Sequence, residues 1–518
     1  MKNPKKNLAA IDIGTNSFHL VVAEINTETG RFKIFGKEKE MVRLGSGSTD
    51  MKYLSEAVMS RGIAVLKRFR TVADAFHADV RAIATSAVRE ATNKQEFFRR
   101  VKMETGIRME IVSGPEEARL IYLGVLQALP VFHKKILLID IGGGSTEFLI
   151  GEKRSIHFSN SLKLGAVRLS ERFFKPSTLS KKTIEECRKF VHGFLSPIVR
   201  DIKKQQFEIC IGTSGTINNL ANIIRANRGE ATELSLNNVS FSRTELLGTV
   251  KNILALPTLT ERKGIEGIDP SRADIIPAGA IILEQIFLAL GIRTLTVSEY
   301  SLRKGILLDS IEKMHTKKPS VYLHNLRRSS VLHLAENYRY EKKHAHHVTG
   351  LALQLFDQTK YLHKLNEQAR EYLEAAAILH EVGLFVSHAQ HHRHSYYLIR
   401  NAELFGYTEN EKEIIANIAR YHRKSHPKVK HEGYNLLSNE DRIQVSKLAA
   451  FLRIADGLDR SHASHIQRLK VRKIMRKLRI RVFHTSKICP DLELWGANRK
   501  KQLFETVYRK KIEFVIAR

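Results

Sequence analysis

Residues 136–150 combine two carboxylates with a glycine-rich turn. The stretch reads ILLIDIGGGSTEFLI, in which two apolar runs are separated by Gly142, Gly143 and Gly144. This pattern predicts a β-hairpin, and the missing Cβ atoms allow backbone N–H groups to approach an anion closely. Asp140 and Glu147 flank the turn. Because carboxylates contact phosphate through a hard cation, the stretch predicts a phosphate turn with Mg²⁺, or another divalent cation, at Asp140 and Glu147.

A second copy of this pattern lies near the start of the chain. In residues 8–22, LAAIDIGTNSFHLVV, Asp12, Gly14 and Ser17 take the places of Asp140, Gly142 and Ser145. Two copies of one hairpin predict two related halves with a cleft between them. Each half would then offer its own turn to the same phosphate chain.

A third candidate turn is GTSGTINNLA at residues 212–221. It follows an apolar run at 207–212 and precedes a helical pattern, which is the order of a strand, an anion-binding loop and a helix N-terminus. The phosphate-binding residues predicted from the three turns are Asp12, Gly14, Thr15, Asn16, Ser17, Gly142, Gly143, Gly144, Ser145, Thr146, Gly212, Thr213, Ser214 and Gly215.

Arg89 and the pair Glu116–Glu117 are further candidates. Arg89 follows a predicted strand at 80–85 and could hold a phosphate oxygen in its guanidinium fork, or lie on the surface. Glu116 and Glu117 open a predicted helix, where acidic residues usually complement the helix dipole. The alternative is that one of them points into the cleft as a general base.

These residues must be positioned by strands that alternate with helices. Apolar runs predict strands at 32–42, 109–112, 156–164 and 295–298, and period-3.6 patterns predict helices at 55–76 and 299–310. Ligands of such α/β folds bind at the carboxyl edge of the sheet. The apolar segment 275–292 contains Glu284 and predicts a buried helix rather than a membrane span.

The second half of the sequence differs in character. Residues 313–320 are polar and basic and predict a linker, and 321–464 are helical in pattern. The last stretch, from about Leu469, alternates as in strands (LRIRVF, then KIEFVI). Histidines gather in the helical part, with Glu381 beside His380 and with Asp456 later in the chain. Histidine and carboxylate on successive helices is metal-ligand chemistry.

The chain of 518 residues carries a formal net charge of +31, which predicts a polyanionic partner. Residues 311–518 hold 39 Lys and Arg against 21 Asp and Glu, a net +18. A nucleic acid is not the expected polyanion, because the basic C-terminal segment has few aromatic platforms. Three scattered cysteines fit a reducing cytoplasm, and the basic N-terminus does not predict a signal peptide because the apolar run after it contains Asp12.

Taken together, these stretches resemble the exopolyphosphatase / guanosine pentaphosphate phosphatase family. The resemblance rests on DIGTNSFHL (12–20), ATSAVREA (84–91), SGPEEARLIYLGV (113–125), DIGGGSTE (140–147), GTSGTI (212–217) and SEYSLRKGIL (298–307). It implies the actin / Hsp70 / sugar-kinase superfold, with two ribonuclease H-like α/β domains closing on phosphate. It also implies that Glu117 is the catalytic glutamate, that Arg89 contacts substrate, and that Asp140 and Glu147 are the metal-associated carboxylates.

The helical part resembles the domain of the family's long members that is related to His-Asp metal phosphohydrolases. LHEVGL (379–384), HHRHS (391–395), RYHRK (420–424) and LRIADGLDR (452–460) carry this likeness, although Glu381 stands where those hydrolases have aspartate. The resemblance implies a second metal site, for which the candidates are His347, His380, Glu381 and Asp456. The expected domains are 1–130 and 131–311 (actin-like), 319–464 (helical, HD-like) and 465–518 (a small basic β-rich unit).

The leading hypothesis is metal-dependent, processive removal of terminal phosphate from inorganic polyphosphate. The alternatives are hydrolysis of guanosine pentaphosphate by the same site and, in another class, a non-enzymatic actin-like ATP-binding protein. A cytoplasmic homodimer is expected, and peripheral contact with an anionic membrane is left open.

Overall fold

The computed structural model describes residues 5–26, 32–47, 51–174, 179–230, 235–314, 321–402, 404–474, 477–484 and 489–517; within 321–326 it describes the backbone alone. The chain divides into two compact units, Met1–Leu323 and His324–Arg518.

The first unit begins with a five-stranded sheet. Its strands are β1 (Lys5–Ile13), β2 (Ser17–Asn26), β3 (Phe32–Met41), β4 (Asp79–Ala84) and β5 (Met109–Ile111). Their order is β3-β2-β1-β4-β5, in which the first three form an antiparallel meander and β4 and β5 run parallel to β1. The associated helices are α1 (Glu56–Ala75), α2 (Ser86–Glu90), α3 (Lys94–Thr105) and α4 (Gly114–Ala128).

A six-stranded sheet follows in the same unit. Its strands are β6 (Ile136–Ile141), β7 (Thr146–Glu152), β8 (Ser155–Leu162), β9 (Ile209–Thr213), β10 (Ser240–Ser242) and β11 (Thr294–Val297), in the order β10-β11-β9-β6-β7-β8. Its helices are α5 (Ala166–Phe173), α6 (Lys181–Gln205), α7 (Ser214–Asn227), α8 (Arg243–Leu254), α9 (Leu259–Lys263), α10 (Ile276–Leu290) and α11 (Leu302–Met314), with a 3₁₀ turn at Pro270–Arg272.

The two sheets share one topology. Each begins with an antiparallel meander whose first strand, β1 or β6, pairs in parallel with β4 or β9, and then β5 or β11 extends the sheet in parallel. The internal repeat expected from the two hairpins is therefore present at the level of whole halves. The helix after the last parallel strand is α4 in the first half and α11 in the second.

Helices α4 and α11 pack against each other, and each also contacts the other half's sheet. Helix α4 contacts β7 and β8, while α11 contacts β1 and β2. A Cβ at Gly305 would lie 1.8 Å from the backbone oxygen of Leu120, so only glycine allows this approach of the two helices. The exchange of helices ties the two halves together.

A buried ion cluster lies at this junction. The Asp309 carboxylate of α11 contacts Arg81 at 2.7 Å, Arg119 at 2.6 Å and Lys313 at 3.1 Å. Burial would raise the pKa of Asp309, but Lys313, Arg119 and Arg81 together hold it well below its usual range. The cluster links a strand of the first sheet to both exchanged helices.

We expect Asp309→Asn to lower the free energy of unfolding by about 3–5 kcal/mol, because it leaves buried cations without their counter-charge. The depressed pKa stabilises the fold above the unfolded-state pKa, and this contribution is lost as the pH falls through the lower folded-state pKa. The variant should therefore have a shallower acid-unfolding curve. The matched control is Asp74→Asn, which removes an exposed partner of Arg70 and should cost less than about 1 kcal/mol. Both free energies of unfolding are measured by urea titration. An equal cost for both variants would contradict this assignment.

The second unit begins with helices and ends with a small sheet. The helices are α12 (Val321–Asn337), α13 (Lys342–Gln358), α14 (Lys360–His363), α15 (Glu367–Leu379), α16 (His391–Arg400), α17 (Glu409–Arg420) and α18 (Asn439–Gly457). The sheet β12 (Ile466–Ile474), β13 (Lys477–His484) and β14 (Lys511–Ile516) follows, with α19 (Asp491–Lys500) and α20 (Gln502–Tyr508) inserted before its last strand. One hydrophobic core includes Phe356 and Phe451 of the helices together with Ile480 and Phe504 of the C-terminal segment.

The predicted fold class is confirmed: two actin-like α/β halves precede a helical part and a three-stranded sheet. Segment 275–292 forms the buried helix α10, and among the described residues we find no helix with the length and apolarity needed to cross a membrane. Most of the predicted linker, residues 315–320, lies outside the described residues. The boundaries between the four predicted domains stay predictions, and those at 130/131 and 464/465 fall inside the two compact units.

Candidate active site

The two hairpin turns have the same local geometry. The backbone N–H of Gly14 donates to the carbonyl of Ser17 at 3.2 Å, and that of Gly142 donates to the carbonyl of Ser145 at 2.9 Å. A Cβ at Gly14 would lie 2.8 Å from the same Ser17 oxygen, so the turn requires glycine. The parallel neighbours of β1 and β6 end beside these turns and lead directly into α2 and α7.

The turns line one cleft in the first unit, which encloses about 1160 Å³ including the part open to solvent. The predicted site residues on its walls are Asp12, Gly14, Thr15, Asn16, Ser17, Glu117, Asp140, Gly142, Gly143, Gly144, Ser145, Ser214 and Gly215. The structure thus brings all three predicted turns to one place, as expected from their positions at strand ends.

Five predicted residues lie outside this lining: Arg89, Thr146, Glu147, Gly212 and Thr213. Thr146 and Thr213 donate their hydroxyls to the backbone carbonyls of Leu164 and Tyr300, at 2.6 and 3.2 Å. Gly212 is packed so tightly that an added Cβ would lie 2.7–2.9 Å from side chains of the sheet and of α7. Thr146 thus supports the second hairpin, and Gly212 and Thr213 support the third turn, rather than facing the cleft.

The first two turns touch each other across the cleft. A Cβ at Gly144 would lie 2.6 Å from the Ser86 hydroxyl and 2.7 Å from the Thr15 hydroxyl. Gly143 approaches Thr15 and Asn16 in the same way, at 3.1 and 3.3 Å. Glycine in the second hairpin is therefore needed for contact between the halves as well as for the turn itself.

Glu116 and Glu117 have different surroundings. Glu116 accepts two hydrogen bonds from Arg119, both of 2.8 Å, and Arg119 also contacts Asp309. Glu117 lines the cleft, and its Oε2 accepts a hydrogen bond of 3.0 Å from Arg89. The structure therefore distinguishes a glutamate within the ion cluster from one that faces the cleft.

Arg89 is held by two hydrogen bonds. The same terminal nitrogen, Nη1, that contacts Glu117 also donates to the carbonyl of Val112 at 2.9 Å. Arg89 is thus placed to orient Glu117, and its predicted contact with a phosphate oxygen stays a prediction.

Four carboxylates influence one another in and beside the cleft. Burial raises the pKa of Asp12 to about 7 and that of Asp140 to about 8, and the negative charge of Glu117 adds to both shifts. Burial, with Glu117 and Asp140, also raises the pKa of Glu147 well above its usual range. The pKa of Glu117 itself is raised by burial, which Arg89 opposes. This surplus of negative charge is the environment that a divalent cation stabilises.

Glu147 provides a direct test of whether the residues fit a cation. Its Oε1 accepts a hydrogen bond of 2.8 Å from the Ser161 hydroxyl, whereas the buried Oε2 has no hydrogen-bond partner among the described residues. Glu147 pairs in register with Asp140 across β6 and β7. An unsatisfied carboxylate oxygen beside Asp140 fits the oxygen donor set that Mg²⁺ prefers.

The cleft also contains cations that we did not predict. Lys39, Arg272 and Arg303 line it, together with His19. A Cβ at Gly215 would lie 2.1 Å from the Arg272 guanidinium, which explains the glycine in the third turn. Arg303 lies within the SEYSLRKGIL motif and could have been selected from it, whereas Arg272 lies at the end of a short 3₁₀ turn that carries no sequence signal.

Arg303, His19 and Ser17 form a chain of hydrogen bonds. Arg303 donates from Nη1 to Nδ1 of His19 at 2.7 Å, and Nε2 of His19 lies 2.9 Å from the Ser17 hydroxyl. Since arginine can only donate, Nδ1 is the acceptor and Nε2 of the neutral imidazole carries the proton. Burial, Arg303, Lys39 and Arg272 lower the pKa of His19 well below its ordinary value, so the ring is neutral.

The model of the Ppx/GppA phosphatase family matches residues 21–314, and that of Ppx/GppA phosphatase domain III matches residues 326–501. The chain belongs to the Ppx/GppA phosphatase family. Proteins of this family are phosphatases that hydrolyse phosphoanhydride bonds, so the predicted enzyme class is confirmed.

Proteins named for two different activities resemble this Ppx/GppA chain. A guanosine-5'-triphosphate,3'-diphosphate pyrophosphatase of Photobacterium profundum is 32% identical over 426 residues, which is 82% of each chain. The crystal structure of an exopolyphosphatase from Cytophaga hutchinsonii is 32% identical with a TM-score of 0.55, covering 60% of this chain and 98% of the other. A Ppx/GppA enzyme of Aquifex aeolicus is 28% identical with a TM-score of 0.50, covering 59% and 99%.

A second cluster of candidate ligands lies in the second unit, the part matched by Ppx/GppA domain III. The predicted His380, Glu381 and Asp456 are brought together there, but the histidine of α13 that joins them is His344. His347 lies one turn further along α13, where its Nε2 contacts the backbone carbonyl of Ile466 at 2.5 Å. His344 and His347 are three residues apart on α13 and so lie near the same face of the helix. The sequence alone therefore did not show which of them joins the cluster.

For this Ppx/GppA protein we expect a chelator to make thermal stability depend on pH. A carboxylate with a raised folded-state pKa binds more protons when folded, so stability falls as pH rises from about 4 through the folded-state values. The folded-state pKa is about 7 for Asp12 and about 8 for Asp140. The melting temperature of chelator-treated protein should therefore fall as the pH rises from about 4 to about 8. Added Mg²⁺ should restore it most at the alkaline end, as measured by thermal denaturation across the pH series. A Mg²⁺ effect that is independent of pH would contradict this expectation.

Proposed function

We propose that this protein is an exopolyphosphatase that removes the terminal phosphate of inorganic polyphosphate. The observation that carries the proposal is the chemistry of the cleft lining. Three backbone turns and the cations Lys39, Arg272 and Arg303 are available to phosphate oxygens, while the described lining contains no Phe, Tyr or Trp on which a nucleobase could stack. A linear polyanion uses such a lining better than a nucleotide does.

In the proposed reaction, water attacks the terminal phosphorus atom and the anhydride P–O bond to the rest of the chain breaks. Glu117 accepts the proton of the attacking water, and Arg89 fixes the carboxylate orientation through its bond to Oε2. The N–H groups of the turns at Gly14–Ser17 and Gly142–Ser145 hold the terminal phosphoryl oxygens. Phosphoryl transfer depends mainly on such positioning and on charge neutralisation.

Asp140 and Glu147 would hold a divalent cation. Asp12 belongs to the same set of interacting carboxylates. When bound, such a cation neutralises charge on the phosphate oxygens. The unpartnered Oε2 of Glu147 supports this role, and Mg²⁺ is the ion proposed because the donors are all oxygen.

The net charge supports the polymer as substrate. The chain carries +31 overall, and residues 311–518 contribute +18 of it. Basic residues that bind distal phosphates keep the chain at high local concentration after each cleavage, which favours processive degradation. Salt should weaken this effect by screening.

Guanosine pentaphosphate is the second candidate substrate. It is favoured by the similarity to the Photobacterium profundum guanosine-5'-triphosphate,3'-diphosphate pyrophosphatase, which covers 82% of this chain. The same turns and carboxylates could serve its terminal phosphate, so the catalytic residues do not separate the two activities.

The deciding experiment compares kcat/KM for long polyphosphate and for guanosine pentaphosphate, using the full-length protein at low and high salt. We expect the polymer to be preferred at low salt and its KM to rise more steeply with salt than that of the nucleotide. A nucleotide preference above about a hundredfold, or about 2.7 kcal/mol, would assign the protein to the second activity. Release of phosphate from neither substrate would overturn both.

A further inference from the structure

Six side chains that can bind metal converge in the second unit. Three lie on helices α13, α16 and α18, two are consecutive just after α15, and one lies just after α17. The six are His344, His380, Glu381, His391, His422 and Asp456. All are buried except Glu381, which is partly buried. Buried charged groups are paired with one another or coordinate metals, so the partners of these side chains decide between the two.

Four of these residues form a first group. Their ligand atoms all lie within 4.8 Å of one another. Nε2 of His344 is 3.7 Å from Oε2 of Glu381 and 3.9 Å from Oδ1 of Asp456. Nε2 of His380 is 4.0 Å from the same Asp456 oxygen. These nitrogen–oxygen distances of 3.7–4.0 Å are too long for direct hydrogen bonds. They fit atoms that surround a common ion.

The other ring nitrogens already have partners. Nδ1 of His344 contacts Oδ2 of Asp459 at 2.8 Å, and Nδ1 of His380 donates to the carbonyl of Ala377 at 2.7 Å. The Nε2 atoms of both residues are buried without any hydrogen-bond partner among the described residues, and so is Oε2 of Glu381. A metal-ligating histidine characteristically uses one nitrogen for an outer partner and the other for the ion.

The second group shares Glu381 with the first. Its Oε1 lies 3.9 Å from Nε2 of His391, whereas its Oε2 faces His344. Nε2 of His391 and Nε2 of His422 are 3.3 Å apart, and Nδ1 of His422 donates to the carbonyl of Ala419. Two nitrogens at about 2.0–2.1 Å from one ion are separated by about this distance.

We propose that the second unit binds two divalent transition-metal ions bridged by Glu381. His344, His380, Asp456 and Oε2 of Glu381 hold one ion, while His391, His422 and Oε1 of Glu381 hold the other. Imidazole nitrogens in both sets select Mn²⁺, Fe²⁺, Co²⁺ or Zn²⁺ over Mg²⁺. This centre is chemically distinct from the all-oxygen carboxylates of the phosphate cleft and does not depend on the activity proposed for that cleft.

Two basic residues adjoin the centre. Lys500 contacts Oδ2 of Asp456 and leaves Oδ1 toward the histidines. Arg423 lies 3.1 Å from both ring nitrogens of His391, so its guanidinium must move aside when His391 binds an ion. The second ion is therefore expected to bind more weakly than the first.

The test counts metal in full-length protein carrying Asp140→Asn and Glu147→Gln, which removes the contribution of the phosphate cleft. The protein is stripped with a chelator, loaded with Co²⁺ and passed through gel filtration, and then the bound cobalt and its visible d–d absorption are measured. We expect two ions per chain and a spectrum of nitrogen-coordinated Co²⁺. Adding Glu381→Gln should weaken both ions by about 10–100-fold, whereas His391→Ala should remove one ion and retain the other.

His346→Ala is the matched control, since His346 is exposed on the same helix as His344 and should leave both ions bound. Circular dichroism and the melting temperature establish that each variant is folded, and an unfolded His391→Ala would be replaced by His391→Gln. Failure of the folded parent protein to retain cobalt would overturn the site. Loss of only one ion in Glu381→Gln would overturn the bridge.

Discussion

Glu117→Gln should abolish phosphate release while leaving polyphosphate binding nearly intact. The amide keeps the shape of the side chain but cannot accept the proton of water, and loss of a general base costs about 10²–10⁴-fold in kcat. Because Glu117 is buried among carboxylates, removal of its charge should not lower the melting temperature. The measurements are single-turnover phosphate release and equilibrium binding of polyphosphate.

Glu116→Gln is the control, because it makes the same chemical change one residue away. It weakens the ion cluster of Arg119 and Asp309, so we expect the free energy of unfolding to fall by about 3 kcal/mol with turnover per folded molecule retained. Glu117→Gln should thus lose kcat and keep its stability, whereas Glu116→Gln should lose stability and keep its kcat. More than about a tenth of wild-type turnover in Glu117→Gln would mean that another group is the base.

The second large effect is expected from Asp140→Asn and Glu147→Gln. Each change removes a negatively charged oxygen from the proposed cation site, so each should raise the Mg²⁺ concentration for half-maximal activity by about 10–100-fold. The same changes should reduce the effect of a chelator on thermal stability at alkaline pH, since fewer buried carboxylates then repel one another. Activity is measured across a Mg²⁺ titration for each variant.

Glu152→Gln is the matched control for this pair. Glu152 lies on the same strand as Glu147 but pairs with Lys153 near the surface, and its loss should leave the Mg²⁺ requirement unchanged. An unchanged requirement in both Asp140→Asn and Glu147→Gln would show that the ion is held elsewhere.

The sequence by itself determined the turns and the order of the elements. Glycine beside an acidic residue at the end of an apolar run has few structural solutions, so both hairpins and the strand–turn–helix at 209–227 could be located without tertiary information. The near-repeat of residues 8–22 and 136–150 was sufficient to predict two related halves, because local backbone geometry is encoded locally.

The tertiary structure decided which side chains meet. The sequence did not separate Glu116 from Glu117, because residues adjacent on a helix differ by about 100° in direction and only the neighbouring elements show which side faces the cleft. Arg303 and Arg272 reach the cleft from segments far along the chain, and His344 rather than His347 joins the second cluster because of how α13 is rotated against α15 and α18. Contacts between residues far apart in the sequence depend on how helices and sheets pack against one another. No short stretch of sequence carries a signal for this packing.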